Sequence, residues 1–216
     1  MGRVSTRTGR PPRLSRDQIV AAARELVAAH GVEALTMRRL ATELGATPMA
    51  LYRHVRDREE LLLLLLDDVA ATMLRPDLPD DPRERMVVTA VAMHDTLARV
   101  PWIVEVLTGD EFLARSALWY AETIVDAAMA CGGTEADAVY AYRSIWYYTA
   151  GELIIRATAR RPADGRTTFR EKVFADLDAE ELPRLAALGE RYPGLAALDT
   201  YECGLRALVA GLFPTS

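Results

Sequence analysis

LTMRRLATELGATPMALYRHVRDR, residues 35–58, is the stretch on which the fold turns. It reads as a helix, a three-residue turn and a second helix of little more than two turns. Leu35, Leu40, Leu44 and Leu51 recur at spacings that bury against a neighbour. Gly45 stands where the chain reverses, because a residue without Cβ enters the left-handed region without a clash and so ends a helix. Thr47-Pro48 starts the next one, with a hydroxyl N-cap and a proline at the first helical position, where its missing N–H is not needed. Thr36 caps the preceding helix in the same way, and Ala41 is small enough for two helices to cross closely. This is the pattern of a helix-turn-helix, which lays its second helix in the major groove of DNA. Spacing alone fits a pair of core helices with an ordinary turn equally well.

The flanks extend the pattern. Ser15-Arg16-Asp17-Gln18 is a capping box opening a helix with apolar positions Ile19, Ala22, Ala23, Leu26 and Val27, closed at His30-Gly31. Asp57-Arg58-Glu59-Glu60 starts another helix, which runs through Leu61 to Leu66 and on to about Leu74. Residues 15–56 thus read as three short helices followed by a long connecting helix.

The signature from Gly31 to Leu62, GVEALTMRRLATELGATPMALYRHVRDREELL, resembles the TetR family of transcriptional regulators. The spacing from the Thr36 cap through Gly45 to Tyr52 and His54 carries the resemblance. The closing segment Leu198 to Leu212, LDTYECGLRALVAGL, resembles the last helix of the subgroup closest to the tetracycline repressor. The resemblance implies a flexible basic arm (1–14), a three-helix helix-turn-helix DNA-binding domain (15–57) and a larger helical ligand-binding and dimerisation domain (58–216, with 58–75 as connecting helix).

Charge agrees with that division. The chain of 216 residues carries a net −5, yet residues 1–58 hold eleven arginines against five carboxylates, a net of +6 that leaves −11 for the remainder. A basic head on an acidic body is the asymmetry expected when one end meets phosphate. The arm MGRVSTRTGRPPR, with Arg3, Arg7, Arg10 and Arg13, cannot form a core. It reads either as a solvated tail or as an arm that tracks phosphates or enters the minor groove, and its single sign of charge favours the second.

Half the residues are hydrophobic, enough for a sizeable core. Cys131 and Cys203 stand far apart without metal-ligand spacing and read as reduced. There is no apolar signal segment and no run near the ~18 residues that span a bilayer, so the expectation is a soluble, cytoplasmic protein. His30, His54 and His94 are dispersed, and no Gly-rich phosphate loop, G-x-S-x-G or metal cluster is present. An enzyme is therefore not expected, nor is a cofactor.

Beyond residue 75 the chain reads as helices throughout, making the fold all-α. Residues 77–81 are a linker, and Asp81-Pro82-Arg83-Glu84 starts a helix that Pro101 ends. A short piece follows from Trp102 to Leu107, then a helix from about Asp110 to Cys131. Thr134 caps the longest helix, to about Arg160, and residues 161–168 are a mobile loop. A helix starts near Pro183, Pro193-Gly194 breaks the chain, and the final helix closes it. There Leu198, Tyr201, Leu205, Leu208, Val209 and Leu212 share one face, which either covers the protein's own core or, as the resemblance implies, joins the Thr134–Arg160 helix in a four-helix homodimer interface.

By the same resemblance, an effector pocket lies among the helices after Pro82, with His94, Trp119, Val139, Tyr142, Arg143 and Trp146 as lining residues. Aromatics with a few polar groups line pockets for aromatic or amphipathic ligands, although such clusters are also ordinary core. Arg143 invites an anionic or carbonyl group, or else pairs with Asp126 or Glu105. Where the tetracycline repressor has an acidic residue that helps hold magnesium, this chain has Ile155, so neither a metal nor tetracycline is expected.

For DNA the resemblance assigns Thr36 to a phosphate and Arg38 to a guanine edge, a contact that discriminates by ~1–3 kcal/mol, or failing that to a phosphate. Thr47 opens the recognition helix, and Pro48, Met49 and Ala50 face thymine methyls. Tyr52, His54 and Arg58 clamp the backbone, and Arg10 acts from the arm. Arg53 replaces an aromatic of the tetracycline repressor and so alters the operator. The implied function is a ligand-responsive homodimeric repressor that binds a palindromic operator and is released by a small molecule. The alternative is a DNA-bound dimer controlled by a protein partner or by abundance.

Overall fold

The computed structural model describes residues 14–107, 114–159 and 168–214. These hold twelve α-helices and no strand. They divide into two compact units, one of residues up to 74 together with 102–119, the other of residues 75–101 together with those from 120 onward.

The first unit contains α1 (Arg16–His30), α2 (Met37–Glu43), α3 (Pro48–Tyr52), α4 (Arg58–Ala70) and most of α6 (Pro101–Leu107). Its helix starts are made by local hydrogen bonds. Ser15 and Gln18 form the reciprocal capping box, and the hydroxyls of Thr36 and Thr47 and the carboxylate of Asp57 each accept from the N–H three residues on. Gly31 turns the chain out of α1 at φ 78°. Ile19, Ala23, Leu35, Leu40, Leu51, Leu61 and Leu65 are fully buried, whereas Leu44 is half-buried. α1 packs against α2 and α4, and α2 against α3. The six leucines of α4 divide accordingly, with Leu61, Leu62, Leu65 and Leu66 inside and Leu63 exposed.

The second unit contains α5 (Pro82–Ala98), most of α7 (Leu118–Ala130), α8 (Glu135–Ala159), α9 (Phe169–Ala175), α10 (Pro183–Leu188), α11 (Tyr192–Ala196) and α12 (Tyr201–Leu212). Its core joins Met86, Val87 and Ala90 of α5, Ile124, Ala127 and Ala128 of α7, Ala138, Ala141 and Ile145 of α8, and Tyr201, Leu205 and Val209 of α12. Alanines at the crossings let α8 approach closely. Arg206 ties α12 to Glu84 of α5, and Arg83 donates to the Phe213 carbonyl at 2.8 Å, fixing the end of the described chain.

Several boundaries differ from the sequence expectation. α3 is five residues long, because the Leu51 carbonyl accepts the N–H of both His54 and Val55 as the chain turns away. α4 stops at Ala70: the Thr72 hydroxyl takes the Val69 carbonyl, and Pro76 disfavours helix at Arg75. Pro101 begins α6 rather than only ending α5, as its fixed φ allows at a first helical position. α7 begins at Leu118, after a short 3-10 turn. α9 lies where no helix was expected. Pro193-Gly194 sits inside α11, where Tyr192 stacks on Phe174 at 3.9 Å. Leu198 precedes α12 and is exposed, so it does not belong to the helix face that Tyr201, Leu205 and Val209 bury. Residues 161–167, Asp110, Arg160 and the arm up to Arg13, including Arg10, lie outside the described residues. No helix among the described residues is long and apolar enough to cross a membrane.

Candidate nucleic-acid interface and effector cleft

The turn between α2 and α3 is built on Gly45 at φ 59°. Its N–H donates to the Thr42 carbonyl at 3.1 Å and the N–H of Ala46 to Ala41 at 2.9 Å, the double closure that ends a helix through a left-handed residue. Leu51, fully buried, anchors α3 from below. What remains outward is the surface assigned from the sequence. Thr36, Arg38, Thr47, Pro48, Met49, Tyr52, Arg53 and His54 are exposed, and Ala50 is half-buried. Met49 is 67% and Tyr52 48% exposed, apolar area that α3 leaves to solvent.

Arg58 is put to a different use from the one assigned to it. Its Nε donates to the Leu35 carbonyl at 2.9 Å and a terminal nitrogen to Val32 at 3.1 Å. Half-buried and turned inward, it is spent on backbone carbonyls rather than held out as a phosphate clamp. The alternating Arg53-His54-Val55-Arg56-Asp57-Arg58 pattern carried the signal for a residue that sequence reasoning passed over. Arg56 leaves its side chain 82% exposed, and Glu60 steadies its Nε at 3.2 Å.

The second unit holds an open cleft of about 590 Å³ walled by His94, Asp95, Ala98, Arg99, Arg156 and Asp199. An apolar crevice lined by Leu97, Leu153 and Ala157 adjoins it and shares Ala98, Pro101 and Arg156. His94, 5% exposed, sets Nε2 2.8 Å from Glu152 and Nδ1 3.2 Å from Asp95. Arg156 bridges Glu152 to Asp199, and Asp199 in turn accepts from the N–H of Tyr201, the first residue of α12. The Arg156 hydrogen bond holds the Asp199 carboxyl below the usual carboxylate range, with the Tyr201 N–H helping.

Of the six lining residues expected, His94 reaches this cleft. Trp119 belongs to the first unit. Val139 is half exposed, and Trp146 is half-buried. Tyr142 packs against the core, and that burial pushes its phenol up. Arg143 donates to the Tyr147 hydroxyl at 2.8 Å, while Asp126 is held by Arg85. Glu152, Arg156 and Asp199 went unsuspected, because nothing in their local sequence announces a pocket. Ile155, 71% exposed, lies off the cleft. Among the described residues no His, Cys, Asp and Glu group is arranged to hold a metal ion.

Comparison with known proteins agrees over most of the chain. The family model described as bacterial regulatory proteins, tetR family, matches residues 19–65, and that of the tetracyclin repressor-like C-terminal domain matches residues 75–215. The HTH-type transcriptional repressor DrrR1 of Streptomyces coeruleorubidus is 33% identical, over 94% of this chain and 79% of that protein. The Streptomyces coelicolor TetR family protein ActR in complex with actinorhodin superposes with a TM-score of 0.75 at 25% identity, over 92% of this chain and 96% of that one. BioQ with its natural double-stranded DNA operator gives 0.67 at 27%, over 94% and 99%.

Proposed function

The chain belongs to the tetR family of bacterial regulatory proteins, and from that membership we propose that it is a homodimeric, cytoplasmic repressor without enzymatic turnover, released from a palindromic operator by a small molecule. One observation carries this reading: the same chain presents an exposed recognition surface at Thr36–His54 and, in its other unit, a cleft whose walls also hold the start of α12.

Two copies supply what a single five-residue recognition helix lacks, since paired half-sites one helical turn apart multiply affinity. α8 leaves Tyr140, Tyr147, Ile154 and Ile155 exposed, and Gly151 of α8 and Gly211 of α12 have open space where a Cβ would stand. A second copy covers that face in this reading. Tyr201, Leu205 and Val209 meanwhile serve the protein's own core.

On DNA, Arg38 reads a base edge, and Pro48, Met49 and Ala50 supply small or apolar contacts. Thr36, Thr47, Tyr52, Arg53 and His54 hold or read alongside them, joined by Arg56. Arg10 acts from the arm. The polar cleft and its apolar crevice together suit an amphipathic effector, in keeping with the actinorhodin complex of ActR. Such a molecule needs to prefer the DNA-incompetent state by only ~1–3 kcal/mol.

The test is selection of the purified protein against random duplex DNA, followed by release of the enriched duplex with amphipathic aromatic compounds, actinorhodin first. Enrichment of a palindrome and its release are expected. Retention without sequence preference, abolished by moderate salt, would sink the operator reading. A palindrome that no compound releases points to control by a partner or by abundance.

A further inference from the structure

One turn of α4 grips every other segment of the recognition head. Arg58 holds the carbonyls of Val32 and Leu35, and Leu35 immediately precedes Thr36, the cap of α2. The Glu60 carboxylate accepts from the backbone N–H of Arg56 at 2.7 Å and from its Nε at 3.2 Å, in the link that leaves α3. Its other oxygen accepts from Arg16 of α1 at 2.5 Å. The Arg56 N–H is the main reason the Glu60 carboxyl lies below its ordinary range. Asp57 closes the turn by accepting from the Glu60 N–H at 2.8 Å. The start of α1, the approach to α2 and the exit from α3 are thereby tied to a single point.

A helix as short as α3 cannot fix its own direction. Its angle is set by whatever holds its ends, and here one end is Gly45 and the other is the segment that Glu60 clasps. We propose that Arg58 and Glu60 are positioning residues that set the angle of the recognition helix against α4, and hence the half-site separation a dimer reads, without touching DNA. This rests on the dimeric operator binding proposed above. The chemistry suits the role: a planar guanidinium presents a rigid fork to two carbonyls at once, whereas an ammonium in its place is a point charge on a flexible stem without that fork.

The experiment measures binding of the full-length protein to the selected palindrome and to versions with the spacer one base pair longer or shorter, across a range of salt. Wild type is compared with Arg58→Lys, Arg58→Gln and Glu60→Ala, each checked for helical content. In every variant the ratio of affinities between preferred and altered spacers falls about tenfold, the scale of one charge-assisted hydrogen bond lost. The slope of log K against log salt stays at the wild-type value in both Arg58 variants. Two results overturn the proposal. An unchanged spacer ratio with uniformly weaker binding means the two residues only stabilise the fold. A slope reduced by about 0.9 per subunit in Arg58→Gln but kept in Arg58→Lys means Arg58 neutralises a phosphate. If Arg58→Gln does not fold, the other two variants carry the spacer readout. A wild type indifferent to palindromes overturns the dimeric reading itself, and does so before any variant is made.

Discussion

His94 and Tyr201 stack ring on ring, with 3.9 Å between centroids and 16° between planes. The contact joins α5, at the wall of the cleft, to the first residue of α12. On its far side Tyr201 stacks on Tyr148 of α8 at 5.4 Å, and its hydroxyl lies 2.7 Å from Thr149 Oγ1 and 3.4 Å from the Ala90 carbonyl. Burial pushes the Tyr201 phenol well above its ordinary range, so it stays neutral. The side chain that faces the cleft and the first turn of α12 are one packed cluster, held by dispersion, the two hydrogen bonds of the Tyr201 hydroxyl and a third from the Tyr148 hydroxyl to the Tyr201 carbonyl.

The second unit should therefore tolerate the loss of Tyr201 poorly. Tyr201→Ala should destabilise by about 3–5 kcal/mol, the range for deleting a buried aromatic ring. Tyr201→Phe keeps the stack and should cost only about 0.5–1.5 kcal/mol, since Thr149 still donates to the Ile145 carbonyl. Urea unfolding of both variants checks the order, and a Phe variant as weak as the Ala variant would refute the stacking argument.

Gly204 is small because Tyr148 passes over it. A Cβ at Gly204 collides with the Tyr148 hydroxyl and its ring carbon. Gly204→Ala should thus lose about 1–3 kcal/mol through displacement of that ring, despite alanine's better helix propensity. Adding Tyr148→Ala should restore part of the loss, and a double-mutant cycle reads the coupling. Strict additivity would show that the two residues do not meet.

Acid should loosen the clasp between Arg156 and Asp199. The folded Asp199 carboxyl lies below its unfolded value, near 3.9, so its contribution is present above that pH and disappears as pH falls through the lowered folded value. Asp199→Asn should be less stable than wild type at neutral pH, with the gap closing below about pH 4. Taking the difference removes the parallel effects of Glu60 and Asp137, whose carboxyls are also lowered. Thermal melts from neutral to acid pH test it; a constant gap would refute it.

Arg38 and Arg10 should separate reading from holding. Arg38→Ala should relax preference at one base-pair position, by ~1–3 kcal/mol of discrimination. Arg10→Ala should weaken all duplexes alike and flatten the salt slope. Quantitative binding to single-base operator variants across salt distinguishes the two patterns. Loss of nonspecific binding alone in both variants would mean the roles are misassigned.

The head was nearly complete in the sequence because its devices are local. Ser15, Thr36, Thr47 and Asp57 cap helices by bonding three residues ahead, and Gly45 turns the chain within a six-residue span. The all-α fold followed from apolar period and turn residues in the same way. What escaped were contacts between distant positions. Arg58 looked like a surface arginine because Leu35 and Val32 lie 23 and 26 residues earlier. The aromatic residues of α8 suggested a pocket, yet Tyr142 went to the core and Arg143 to Tyr147.

By itself, then, the sequence determined the family, the helix-turn-helix, its caps and the residues left outward on the recognition helix. Only tertiary structure decided that α3 is so short, that Arg58 turns inward, and that His94, Arg156 and Asp199 meet at one cleft. The reason is the range of the interactions. A cap or a left-handed glycine is settled by neighbours within a turn of chain, whereas a cleft exists only after helices far apart in sequence have packed and found which polar groups they must share.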